Sequence, residues 1–279
     1  MQKIIFLLTL FVIGCTERGH PEPKPTTPCP IEKEAKPSPE KPEPKEIRVN
    51  ICLNGDVKKG DYSVSQRAVK TIAKAGGNPI HITPGFNIQH LPRDCDGVIL
   101  TGGADINSAR YKEAPTLSEL MDKRRENFDF AIAGKAIAEK IPLLGICLGM
   151  QEIWVTLGGT LIQDIPSETS GKVDHRKHHE VFLRTETRLY SIFQTNTLSV
   201  YSNHHQALDH LDRHDNSLKI TAEAAGGIVE AIESPDPDRF LIGVGWHPER
   251  TQDDLNGYKL FEAMIRWIKN NNTRPTNVL

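Results

Sequence analysis

Residues Ile141–Trp154 read IPLLGICLGMQEIW, an apolar run that passes into a helical pattern through Gly145-Ile146-Cys147-Leu148-Gly149. A short, unbroken apolar run fits a strand buried on both faces, as in a parallel sheet covered by helices. The flanking glycines let strand and helix approach closely around a sharp turn. This is the form of a nucleophile elbow, with sulfur in place of oxygen. On this stretch alone Cys147 could be a packed apolar residue, half of a disulfide or a nucleophile.

The surrounding pattern predicts an α/β domain. Strands are expected in IRVNICL, NPIHITP, CDGVILTGG and IPLLGI, with helices in SVSQRAVKTIAKAGG, RRENFDFAIAGKAIAEK and LGMQEIWVTLG between and after them. The second half is richer in strands: HHEVFLR, TLSVYS, LKITAEA, GIVEAIES and FLIGVGW. A last helix, Asn256 to Lys269, places Leu260, Phe261, Met264, Ile265 and Ile268 at helical spacing, a face that should pack on the sheet. The expectation is one domain over Ile47–Asn270 with a mostly parallel sheet and extra strands in its second half.

In such a sheet ligands collect at the carboxyl ends of the strands. Three loops should meet there: Thr101-Gly102-Gly103-Ala104-Asp105, the turn at Cys147, and Gly245-Trp246-His247-Pro248-Glu249. A cysteine nucleophile needs a base, and the base needs an orienting group; His247 and Glu249 have those chemistries. The helix beginning at Leu148 aims free N–H groups at the sulfur and favours thiolate. The Leu148 N–H can receive an oxyanion, with a second donor from Gly102 or Gly103.

At this point the motifs PLLGICLGMQ, LTGGADINSARY, VYSNHHQ, VEAIE and GVGWHPE resemble the class I glutamine amidotransferase-like family. They fit best its γ-glutamyl hydrolase branch, similar to peptidase C26 and typified by γ-glutamyl-γ-aminobutyrate hydrolases. The resemblance implies a flavodoxin-like three-layer fold and a Cys147-His247-Glu249 triad, with Gly103 and Leu148 as oxyanion donors. It also implies Gly102, Gln151, Ser202, His204 and Gln206 around the substrate, and no metal or organic cofactor. The activity implied is hydrolysis of a γ-glutamyl amide or peptide through a γ-glutamyl thioester. Four positions depart from the family's usual residues: Leu148 for a basic residue, Tyr201 for Asn, Gly245 for Gln and Ser108 for Pro. Two other functions stay open, a glutaminase module feeding ammonia to a partner and a non-catalytic γ-glutamyl-binding protein. Hydrogen bonding that steadies the loop is the alternative role for His204 and His205. A metal site joining them to His175 and His179 is not expected, because no helix is evident at that spacing and there is no HExxH frame.

The chain's start points outside the cytoplasm. MQKIIFLLTLFVIGC has an apolar run of about ten residues, half of what a membrane span takes. It reads as a signal peptide over residues 1–14, and Val12-Ile13-Gly14-Cys15 resembles a bacterial lipobox. Lipidation of Cys15 would anchor the protein to a membrane, and Thr16 favours the outer membrane if the organism has one. Nine prolines with Lys and Glu crowd Thr16–Glu46, a composition that cannot bury a core and suits a disordered tether over 15–46. Residues 271–279 read as a polar tail. The net charge of -2 gives no sign of a nucleic-acid partner. The five cysteines contain no CxxC pair, so no disulfide framework is expected, and Cys52 and Cys95 are expected to be buried.

Overall fold

A computed structural model describes residues 48–58, 61–114, 119–169, 173–209, 217–251 and 255–271. The signal, Cys15, the tether and residues 272–279 lie outside the described residues. No helix among those described is long and apolar enough to cross a membrane.

The sheet holds nine strands: β1 (Val49–Leu53), β2 (Gly77–His81), β3 (Gly97–Leu100), β4 (Leu143–Ile146), β5 (His178–Leu183), β6 (Thr197–Tyr201), β7 (Lys219–Ala224), β8 (Val229–Glu233) and β9 (Leu241–Val244). Their order is β2-β1-β3-β4-β9-β8-β7-β5-β6. The first five run parallel and the last four form an antiparallel wing. Five main helices cover the sheet: α1 (Gln66–Lys74), α2 (Lys123–Ala138), α3 (Leu148–Thr156), α4 (Arg188–Phe193) and α5 (Leu255–Asn271).

Local chemistry sets the helix ends. The Ser65 hydroxyl accepts from Ala68 N at the start of α1, and Asp122 accepts from Arg124 N and Arg125 N at the start of α2. One face of the sheet packs Ile51, Leu53 and Ile146 against Ala68 and Ile72 of α1 and Leu260, Phe261 and Met264 of α5. The other packs Val98, Leu100 and Leu143 against Phe128 and Ile132 of α2 and Met150 and Ile153 of α3. Strands β3, β4 and β9 are buried throughout, which explains their unbroken apolar sequences.

Register brings the three expected loops level. Leu100 pairs with Gly145, Gly145 with Gly243, and Ile146 with Val244. The residues that follow these strand ends are Thr101, Cys147 and Gly245, so their loops open on one edge. Cys52 and Cys95 are both buried, and they are bonded to each other across a separation of 43 residues, which the cysteine pattern did not suggest. Their sulfurs meet because β1 and β3 are neighbours, a tertiary fact that spacing does not carry. Cys147 is the free cysteine among the described residues.

Candidate active site

Cys147 sits where β4 ends and α3 begins, with φ 54° and ψ -107°. A non-glycine residue in that region carries roughly 1–3 kcal/mol of backbone strain. The two glycines are required by contact. A Cβ on Gly145 would lie 2.6 Å from the Gly149 carbonyl, and one on Gly149 would overlap the Leu100 carbonyl. The turn therefore lifts the sulfur out of the sheet edge while α3 packs hard against β3 and β4.

Burial alone pushes the Cys147 thiol up. The charge of His247 and its hydrogen bond to the sulfur outweigh burial, helped by His204 and the Leu148 N–H, and hold the thiol below its ordinary range. Burial likewise pushes His247 down, but Cys147 first and Glu249 second raise it to about 9. The two shifts run in the directions that favour a thiolate–imidazolium pair. Glu249 Oε1 accepts from His247 Nδ1 at 2.8 Å, which fixes the ring so that Nε2 faces the sulfur. The His247 backbone is held by its own N–H, which donates to the Tyr201 carbonyl at 2.8 Å. Gly102 lies against the ring: a Cβ there would stand 2.8 Å from His247 Cε1.

Beneath the Gly102-Gly103 loop lies a group that sequence reading missed. Arg125, only 1% exposed, reaches the Gly102 carbonyl at 3.0 Å, Asp129 at 2.9 Å and Asp56 at 2.7 Å. A Cβ on Gly103 would collide with this guanidinium, so glycine makes room for it. Asn54 Oδ1 accepts from Thr101 N at 2.7 Å and ties down the loop's first residue. Buried Glu152 lies beside Asp129. Burial, then the Asp129 charge, raises it well above the ordinary carboxylate range. The available signal was a charge between apolar neighbours: Asp129 in FDF and Glu152 in MQEIW.

A cleft of about 710 Å³ opens over the sulfur. Cys147, Leu148, Gly103, Gln151, His204 and Gln206 line it. Its walls carry charges of both signs, Arg176 on one hand and Asp105, Glu119 and Asp164 on the other. His205 bridges the acids, 3.0 Å from Asp105 and 3.2 Å from Asp164. Gln151 Nε2 donates to the Gln206 carbonyl at 3.3 Å. Ser202 does not line this cleft. It is fully buried, and its hydroxyl lies 2.9 Å from His179 Nε2, so it positions that ring instead.

His175 and His179 do come together with His204, contrary to the expectation from sequence. A turn followed by β5, rather than a helix, supplies the spacing, and Glu230 of β8 completes the group. One ligand-type atom from each of the four lies within 4.8 Å of the others. Glu230 went unnoticed in VEAIE, although an acid in a fully buried strand was the available sign.

The peptidase C26 family pattern matches residues 50–249 of this sequence. The chain belongs to the peptidase C26 family. This peptidase C26 protein is an enzyme of the hydrolase and amidotransferase kind. It is 40% identical over 198 residues to protein NtpR of Enterococcus hirae, covering 67% of this chain and 81% of that one. It is 28% identical over 239 residues to the γ-glutamyl-γ-aminobutyrate hydrolase PuuD of Escherichia coli, covering 78% of this chain and 91% of that one. The fold matches a glutamine amidotransferase from Thermotoga maritima with a TM-score of 0.55, over 82% of this chain and 100% of that one, at 14% identity.

Proposed function

We propose that this peptidase C26 protein is a cysteine-nucleophile hydrolase that cleaves γ-glutamyl amide or peptide bonds. The observation that carries the reading is the line Cys147–His247–Glu249, with Cys147 facing a cleft that has charges of both signs. A γ-glutamyl group bears an α-carboxylate and an α-ammonium. Arg176 suits the first, and Asp105, Glu119 or Asp164 suits the second.

The Cys147 thiolate attacks the γ-carbonyl carbon. The oxyanion is received by the N–H groups of Leu148, in the unpaired first turn of α3, and of Gly103. Collapse of the tetrahedral intermediate breaks the C–N bond, and the His247 imidazolium gives its proton to the leaving amine. A γ-glutamyl thioester remains. Neutral His247 then takes a proton from water as the oxygen attacks, and the thiolate leaves with glutamate released. Leu148 presents an apolar wall where relatives of the resembled branch often carry a positive charge, which fits leaving groups without an anionic tail.

The test is turnover of a panel of γ-glutamyl amides and peptides by the purified protein beside Cys147→Ala, with a mass search for the thioester on Cys147. Turnover of none of them, or equal turnover by the variant, would sink the reading.

We further propose that the protein is an exported bacterial lipoprotein anchored through Cys15. The signal-like start supports this, and so does the Cys52–Cys95 bond, which suits an oxidising compartment. Cys15→Ser should move the protein from the membrane to the soluble fraction; unchanged fractionation would reject the anchor.

A further inference from the structure

We propose that His175, His179, His204 and Glu230 form a binding site for one divalent cation of the zinc class, set under the wall of the cleft beside Cys147. The proposal is independent of the γ-glutamyl reading.

Three lines of geometry carry it. First, the rings turn nitrogens toward one carboxylate oxygen. His204 Nδ1 lies 2.9 Å from the Gln206 carbonyl and His179 Nδ1 lies 3.3 Å from the Glu180 carbonyl. A carbonyl only accepts, so both Nδ1 atoms carry a hydrogen and Nε2 is the nitrogen each ring turns toward Glu230; His179 Nε2 also meets the Ser202 hydroxyl at 2.9 Å. Those Nε2 atoms stand 3.4 and 3.7 Å from Glu230 Oε1. Imidazoles oriented by a backbone carbonyl through the far nitrogen are the usual supporting arrangement for metal-binding histidines.

Second, the remaining polar atoms are buried without satisfactory partners. His175 Nδ1 is 2.8 Å from the same Glu230 oxygen but is not aligned to bond it. Neither His175 nitrogen and neither Glu230 oxygen has a hydrogen-bond partner, and the residues are 4% and 0% exposed. Buried acceptors facing one another are unfavourable unless positive charge lies between them. A single proton on one ring can serve one nitrogen–oxygen contact. His179 Nε2 already meets the Ser202 hydroxyl, and of His175 and His204 one nitrogen at the same oxygen is still left unserved, whereas a cation meets all four groups at once.

Third, the backbone is shaped to present Glu230. Ala222 pairs with Ala231 while Glu223 pairs with Val229, so Glu230 is the extra residue of a β-bulge. Bulges re-aim a side chain at the expense of a ladder bond. Gly245 on the neighbouring β9 side provides the space, since a Cβ there would fall 2.6 Å from Glu230 Oε2. Gly245 is one of the four departures noted in the sequence, and here it has a physical reason.

Three imidazoles and one carboxylate select a borderline cation, with zinc as the common tetrahedral case. Ligands about 2.1 Å from a tetrahedral ion lie about 3.4 Å apart, so the 4.8 Å cluster would close by small side-chain shifts. All four positions are filled from the chain, which is the pattern of a structural site.

The test uses the untagged full chain loaded with zinc or cobalt(II) and then dialysed. The expected result is about one metal per chain by elemental analysis. Cobalt should give the intense visible bands of a four-coordinate nitrogen–oxygen site with no sulfur charge-transfer band. Cys147→Ala should keep the metal, while Glu230→Gln and His179→Asn should lose at least about tenfold in affinity. Folded wild-type protein that retains no metal, a weak six-coordinate cobalt spectrum, or loss of the metal in Cys147→Ala would overturn the proposal. Undiminished binding by folded His179→Asn would do the same, and if that variant does not fold, the wild-type cobalt spectrum decides.

Discussion

Two groups of buried polar side chains flank Cys147, and they are balanced in different ways. On the parallel side, Arg125 brings a permanent charge whose donors meet Asp129, Asp56 and the Gly102 carbonyl. On the antiparallel side, three histidines converge on Glu230. The arginine group is complete from its own chain and holds the Gly102-Gly103 loop still. The histidine group has no side chain of permanent positive charge. A fixed guanidinium under the Gly102-Gly103 loop and a cluster of imidazoles under the cleft wall are thus built from different residue types.

The largest expected effect removes what both groups flank. Cys147→Ala should lower kcat/KM on a γ-glutamyl amide by about 10⁴-fold or more. A fall of only a few-fold would leave neither group with a nucleophile to serve.

Next comes the contrast itself. Arg125→Met strands buried Asp129 and should cost about 3–5 kcal/mol in urea unfolding. His179→Asn in metal-stripped protein should cost about 1–2 kcal/mol, because it removes a hydrogen bond rather than a fixed charge. Equal losses would erase the distinction.

Glu249→Gln tests the thiolate–imidazolium pair between them, with an expected drop in kcat of about 10²-fold. Wild-type activity should fall at low pH as the depressed Cys147 thiol regains its proton. It should fall again as pH rises through about 9, where His247 loses the proton owed to the leaving amine. Glu249 helps raise His247, so the variant's upper limb should move to lower pH. An unmoved limb would show that Glu249 does not act on the ring.

The smallest effect is at Glu152. Its folded pKa stands well above the ordinary 4.5, so this group's contribution to stability is complete below 4.5 and declines as pH rises toward the folded value. Glu152→Gln lacks that decline. The variant should match the wild type within about 0.5 kcal/mol at pH 4 and gain on it steadily toward pH 7. A gap that does not change with pH would mean that Glu152 is charged in the fold.

Much of the parallel half was legible because its signals are local. Apolar runs mark β3, β4 and β9, and glycines mark the turn at Cys147. The three loops follow from strand ends alone, so Cys147, His247 and Glu249 were named before their distances were known. The buried polar groups were not legible, since each is assembled from distant segments. Arg125 meets Asp56 across 69 residues, and Glu230 meets His175 only through the register of the antiparallel wing. Ser202 shows a related limit: its place on the loop is legible, but the direction of its hydroxyl, toward His179, is not. Cys52 and Cys95 show the same limit, since pairing depends on which strands are neighbours.

The backbone angle at Cys147 has a consequence for anyone making inactive protein for crystallisation or ligand soaking. Alanine at this position keeps a side chain where φ is 54°, whereas glycine adopts that angle freely. Cys147→Gly should therefore express and store better than Cys147→Ala, though both lack the sulfur. Over generations the same bias would favour glycine in any lineage that stops using the reaction.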